Sequence, residues 1–187
     1  MNNNRLTMTA PVTLNVAGKE IPIDYSFKAV LNTFAAFKDD EMPEVVKMDI
    51  FLDNIYLEPI DDPDYIQDAI DKANWFIRGG DTKKNANKSN KQALVCFEQD
   101  SQYIYDAFLK KNIDLDANPN MHWWIFKSHF AELEECFLTR LMYLRNKMRQ
   151  PKGLDKEEKK EVKEIGDDIV NIKIGGIDMY GNIDIWN

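Results

Sequence analysis

Asp62-Pro63-Asp64-Tyr65-Ile66-Gln67-Asp68-Ala69-Ile70-Asp71-Lys72-Ala73-Asn74-Trp75-Phe76-Ile77-Arg78-Gly79-Gly80 is the stretch that decides the fold class. Proline suits the first turn of a helix, where its missing N–H has no partner to lose. The glycine pair supplies a stop at the other end. Between them Ile66, Ala69, Ile70, Ala73 and Ile77 recur at helical spacing and form one apolar stripe. A helix with such a stripe has to bury it against other elements. Trp75 lies about 180° from the stripe, at about 100° per residue. It therefore either packs on a second layer of the protein or stands exposed for a partner.

Working outward, the N-terminal side begins with partial alternation. Val12, Leu14 and Val16, then Ile21 and Ile23, flank Ala17-Gly18-Lys19, which predicts a β-hairpin whose second arm Pro22 confines to an edge. Ser26 caps the next segment, where Phe27, Val30, Leu31 and Phe34 share a helical stripe. Pro43 opens a second helix with Val45, Met48, Leu52, Ile55 and Tyr56 on one face.

On the C-terminal side, residues 81–91 hold Lys, Asn, Ser and Thr with no large apolar side chain, and read as a solvated loop. Asp100 or Ser101 caps a helix with Ile104, Ala107 and Phe108 on one stripe and Tyr105 and Leu109 on another, so it is expected to lie deep. Pro119 opens a helix presenting Trp123, Phe126, Phe130 and Leu133. Phe137, Leu141, Leu144 and Met148 do the same in the next one. Asp155 starts a Lys- and Glu-rich helix that is expected to be solvated.

Alternation around Tyr180-Gly181-Asn182 suggests a terminal hairpin. The chain is thus read as mainly α: about six to seven helices with a short N-terminal β-hairpin and a C-terminal hairpin. Residues 1–165 form one helical domain, or two halves, 1–80 and 92–165, joined by the polar loop 81–91. Residues 166–187 form a variable tail.

Composition bounds the function. The net charge is −8, which repels phosphate backbones and argues against nucleic acid as the main partner. Neither a signal-length apolar run after Met1 nor a membrane-length segment occurs, so a soluble intracellular protein is expected, with no membrane partner. Cys96 and Cys136 have no metal-ligand spacing around them and read as free thiols. Four Trp, seven Tyr, ten Phe and eight Met belong mostly in a core, but they are also the residues of adaptable partner-binding faces.

Chemistry is hard to place on this sequence. His122 and His129 are seven apart, where a helical zinc site wants four and a third ligand. Gly79-Gly80 ends a helix, the wrong polarity for a phosphate cradle. Asp61-Asp62 with Asp64 lacks the Gly and closing Glu of an EF-hand and reads as compensation of a helix dipole. No catalytic residue, metal site or cofactor site is expected, and no enzyme. Between Glu135 and Asp155 the only charged residues are basic: Arg140, Arg145, Lys147, Arg149 and Lys152. They are either the cations a helix C-terminus favours or a docking face for an acidic partner. Arg145 has a further reading, as a cation tied to an internal carboxylate.

Two blocks carry a resemblance. The first is Phe97-Glu98-Gln99-Asp100-Ser101-Gln102-Tyr103-Ile104-Tyr105-Asp106-Ala107-Phe108, followed by Ile113-Asp114-Leu115. The second is His122-Trp123-Trp124-Ile125-Phe126-Lys127. With Val16-Ala17-Gly18-Lys19-Glu20, Trp75-Phe76, Gly79-Gly80 and Tyr143-Leu144-Arg145, their order resembles the phage family named for gene product fifteen of a Listeria siphophage, over roughly Val12 to Ile165. The resemblance implies a tail-region protein of a long-tailed phage of Gram-positive bacteria, best read as a tail assembly chaperone. Such a protein binds the tape measure protein, assists the tail-tube protein and is absent from the finished virion. The alternative is a minor tail or connector protein that stays in the particle. Phe97, Phe108, Trp123 and Phe126 are then structural motif residues, while Trp75, Arg140, Arg145 and Arg149 are the candidates for partner contact. Neither the sequence nor the resemblance indicates an oligomeric state.

Overall fold

In the computed structural model, which describes residues 7–39, 41–81 and 93–172, the described residues form β1 (Thr13–Val16), β2 (Lys19–Pro22), α1 (Phe27–Phe37), α2 (Glu44–Ile55), α3 (Pro63–Ile77), α4 (Ser101–Lys110), α5 (Trp123–Ala131), α6 (Phe137–Met148), α7 (Lys156–Ile165) and α8 (Asp167–Val170). The chain is mainly α with a short N-terminal hairpin, as the spacing of its apolar residues predicts. The turn of helix at Asp167–Val170 is additional. The terminal hairpin and most of the polar loop lie outside the described residues. Contacts group the described chain into two compact units. The first comprises residues 7–81 and 118–128 and the second 93–117 and 129–172, so the division passes through α5 after Ser128.

In the first unit, β1 and β2 pair antiparallel with Val16 opposite Lys19. Ala17 and Gly18 have φ of 50° and 88°, the left-handed pair that a tight hairpin turn requires. Ala17 adopts this conformation with its N–H held by Asp68 Oδ2 of α3 at 2.8 Å. The second arm is not a bare edge. Asp24 N–H donates to Ile55 O and Leu57 N–H to Pro22 O, at 2.9 and 3.0 Å, so residues 55–57 run beside it. Ser26 caps α1 through Ala29 N–H, and Asp62 caps α3 through Asp64 N–H. The core joins Val16, Ile21 and Ile23 of the hairpin to Val30 and Phe34 of α1, Phe51 of α2, Ile70 and Phe76 of α3 and Phe126 of α5.

The second unit is built on α6. Leu141 and Leu144 pack with Val162 and Val170, and Tyr103, Leu154, Ile165 and Ile169 close over them. The helix α7 is anchored through Val162 rather than fully solvated, and Asp155 and Glu158 form a reciprocal capping box at its start. Burying this apolar strip ties α7 down, because propensity alone does not hold a ten-residue helix in water.

Several faces differ from the expected ones. In α2 the inward residues are Phe51 and Ile55 with Lys47, while Val45 is 73% exposed. The period was right, but the face is rotated to bring Phe51 edge-on against Phe37. In α6 the buried set is Leu138, Leu141, Leu144 and Arg145, and Phe137 and Met148 are exposed. In α4 Leu109 is exposed, so the helix is apolar on one side only. The helix expected from Pro119 starts at Trp123 instead. Asp100 occupies the cap position of α4 without capping it, because its carboxylate is engaged elsewhere.

Candidate partner-binding groove

The last turn of a helix leaves carbonyls without intrahelical partners. At the end of α3 these are met by the start of α5. Trp123 Nε1 donates to Ile77 O and Trp124 Nε1 to Phe76 O, each at 2.7 Å. Lys127 Nζ also donates to Ile77 O, at 3.4 Å, adding a cation where the dipole favours one. Gly79 and Gly80 have φ of +78° and +83°, and a Cβ on Gly80 would stand 2.9 Å from the Trp124 ring. Glycine is needed there both for conformation and for room. His122 closes the other side. Its Nδ1 accepts the Trp124 N–H, so the proton sits on Nε2, which donates to Pro11 O; both distances are 3.0 Å. The motif residues Trp123 and Phe126 are therefore core, at 2% and 1% exposure, and Phe126 stacks on Phe27 with centroids 4.8 Å apart.

Beside this joint, β1 and the outward face of α3 enclose a groove of about 510 Å³. Leu14 and Pro11 line it with Thr13, Asn15, Glu20, Asp68, Asp71, Lys72 and Trp75. Trp75 forms one end, half-buried and edge-on to Trp124 with centroids 5.5 Å apart. One edge of the ring packs on Trp124 and the ring also lines the groove. Its buried indole N–H has no acceptor, and neither has Arg78 Nε one turn on. An unmet buried donor costs about 1–3 kcal/mol. Three carboxylates, Glu20, Asp68 and Asp71, line the groove as well. Glu20 accepts from Thr13 Oγ1 at 2.7 Å and Asn15 Nδ2 at 2.9 Å, and these hydrogen bonds, Thr13's foremost, hold its carboxyl below the usual range. Lys72 lies 3.8 Å from Asp68. Glu20, Asp68 and Asp71 were not singled out from the sequence. The available signal was a polar helix face, Asp68, Asp71, Lys72, Trp75, carrying one large aromatic at helical spacing.

The first motif block supports the second unit. Asp100 and Arg145 form a buried bidentate pair at 2.6 and 2.8 Å. Asp100 also accepts the Cys96 N–H, and Arg145 donates to the carbonyls of Leu94, Ile169 and Val170. Phe108 is fully buried, while Phe97 is half-buried and packs on Phe130 with centroids 5.7 Å apart. Tyr105 donates to Asp114 and Asp116. Burial and these two carboxylates push its hydroxyl up to about 12.

The basic stretch does not form one solvent-facing set. Arg145, expected among the contact residues, is 3% exposed and neutralised by Asp100; the reading of it as tied to an internal carboxylate is the one the structure bears out. Arg140 pairs with Glu161 through Nε at 2.9 Å and lies over the Tyr143 ring. Lys147 bonds Glu158. Arg149 is exposed, with Nη2 donating to Ala93 O at 2.8 Å. Of the four candidates for partner contact, Trp75 lines the groove between β1 and α3. Among the described residues no cluster of His, Cys, Asp and Glu is arranged to hold a metal, and no helix is long and apolar enough to cross a membrane.

These features define a mainly helical protein whose motif residues build its core and whose hairpin and third helix leave a groove open. A family model described as Bacteriophage Gp15 protein matches residues 7–169. The chain belongs to that bacteriophage family. No curated protein and no solved structure matches it.

Proposed function

We propose that the protein is a tail assembly chaperone that holds the tape measure protein until tail-tube subunits polymerise around it, and that it acts without catalysis. The observation that carries this reading is the groove between β1 and α3, with Trp75 half-open at its end. A large, rigid aromatic beside an apolar hollow is the usual anchor of a protein–protein contact, and an amphipathic helix is a natural occupant of such a groove. Membership of a phage family supplies the context in which a long helical client has to be kept from self-association.

A chaperone is released when its client is built in, whereas a minor tail or connector protein remains. Mass spectrometry of purified virions separates the two: the chain is expected in infected-cell lysate and absent from the particle. Its presence at a fixed copy number per virion would instead establish the structural role.

A further inference from the structure

We infer that the groove between β1 and α3 is a charge-selective site for a basic, apolar segment of the partner, seated as a short anchor rather than along a whole helix. The inference rests on the chaperone reading for the identity of the client, but its chemistry stands on the groove itself. Its volume, about 510 Å³, lies inside the roughly 300–1,000 Å³ range of small-ligand sites. It therefore houses a few side chains of one or two helical turns.

Charge complementarity names the class. Three carboxylates, Glu20, Asp68 and Asp71, line the groove against one cation, Lys72, which itself lies near Asp68. The sequence of the first unit carries a net negative charge, 16 Asp and Glu against 11 Lys and Arg, which favours the approach of cations. Each carboxylate accepts a hydrogen bond within the chain, Asp68 from the Ala17 N–H of the hairpin turn, Glu20 from Thr13 and Asn15 and Asp71 from Gln67, and Asp71 and Glu20, both exposed, keep lone pairs to meet Lys or Arg. Leu14 and the Trp75 ring supply the apolar floor.

The test uses the full chain and three synthetic helical peptides of equal length and apolar face, whose polar positions are Lys, Gln or Glu. Affinity is read by fluorescence anisotropy at low and high salt. The Lys peptide is expected to bind at least tenfold tighter than the Glu peptide. That preference should shrink as salt rises, since screening acts over about 10 Å at 0.1 M, and fall about tenfold in the double variant Glu20→Gln, Asp71→Asn. Asp68 is left intact because it holds the turn. Trp75→Ala is expected to weaken all three peptides. Equal binding of the Lys and Glu peptides, or a preference the double variant leaves unchanged, overturns the inference.

The outcome separates from that of the chaperone reading. If the Lys peptide binds as described but full-length tape measure protein is not captured, the site stands and the client is another protein. If tape measure protein is captured equally by the wild type and the double variant, the client stands and this site is not where it binds.

Discussion

Arg145 makes five hydrogen bonds, two of them to Asp100 and three to backbone carbonyls at Leu94, Ile169 and Val170. Removing one partner of such a pair leaves the other charge buried and alone, which costs about 3–5 kcal/mol. Asp100→Asn and Arg145→Ala are each expected to shift the urea midpoint by that amount, and Arg145→Glu to prevent folding by facing two carboxylates. A midpoint change of under about 1 kcal/mol, the usual size for a surface pair, would show that the pair is solvated. Trp123→Ala is expected to cost a similar amount, about 3–5 kcal/mol, the usual range for a buried aromatic, with the Ile77 carbonyl left to the longer Lys127 hydrogen bond. Trp75 is the contrasting case. Trp75→Ala is expected to remove an edge contact worth about 0.5–1.5 kcal/mol and, on the proposed function, to weaken tape measure capture at least tenfold, while Trp75→Phe, which keeps a ring and drops the unmatched N–H, is expected to be as stable as the wild type. At this scale the burial of Trp123 was legible from its stripe. The partner of Arg145 was not, because a residue forty-five positions earlier supplies it and no local pattern records that distance.

At the level of elements, two joints hold the helices. In the first unit Gly80 admits the Trp124 ring, so Gly80→Ala is expected to lower the thermal midpoint sharply, both through left-handed strain and through a 2.9 Å clash, whereas Gly153→Ala, with open space around it, bears only the backbone strain. In the second unit α7 is strapped to α6 by Glu158. Lys147 first, then the Asp155 backbone N–H and Tyr143, hold the Glu158 carboxyl down from 4.5 to about 2. A carboxyl lowered by folding contributes stability that is complete above its unfolded value and disappears as pH falls through its folded one. The difference in thermal midpoint between wild type and Glu158→Gln is therefore expected to be full at pH 6, to shrink below about 4.5 and to vanish near 2. A difference that stays constant across that window would mean that the strap is not ionic. The helices themselves were readable from proline, glycine and apolar spacing. Which face of α2 or α6 turned inward was not, since Val45 and Phe51, or Phe137 and Leu138, fit their own stripes equally well until tertiary packing, such as Phe37 edge-on to Phe51, selects one.

Over the whole chain the carboxylates divide evenly between the two units, and three of them, Glu20, Asp68 and Asp71, meet at the groove. That meeting was invisible in the sequence, because Glu20 and Asp71 come together only when the hairpin folds against α3. The basic stretch, which the sequence offered as a docking face, divides among a buried pair, two surface pairs and an exposed end, so Arg149→Glu is expected to leave the salt dependence of client binding unchanged. The most direct measurement is co-expression of the tape measure protein with this chain, followed by affinity capture of the chain and quantification of the tape measure protein in the soluble fraction. The account expects soluble tape measure protein in complex with the wild type, and its loss to the insoluble fraction with Trp75→Ala at equal chaperone levels. Tape measure protein that is equally soluble and uncaptured with and without the chain would contradict it.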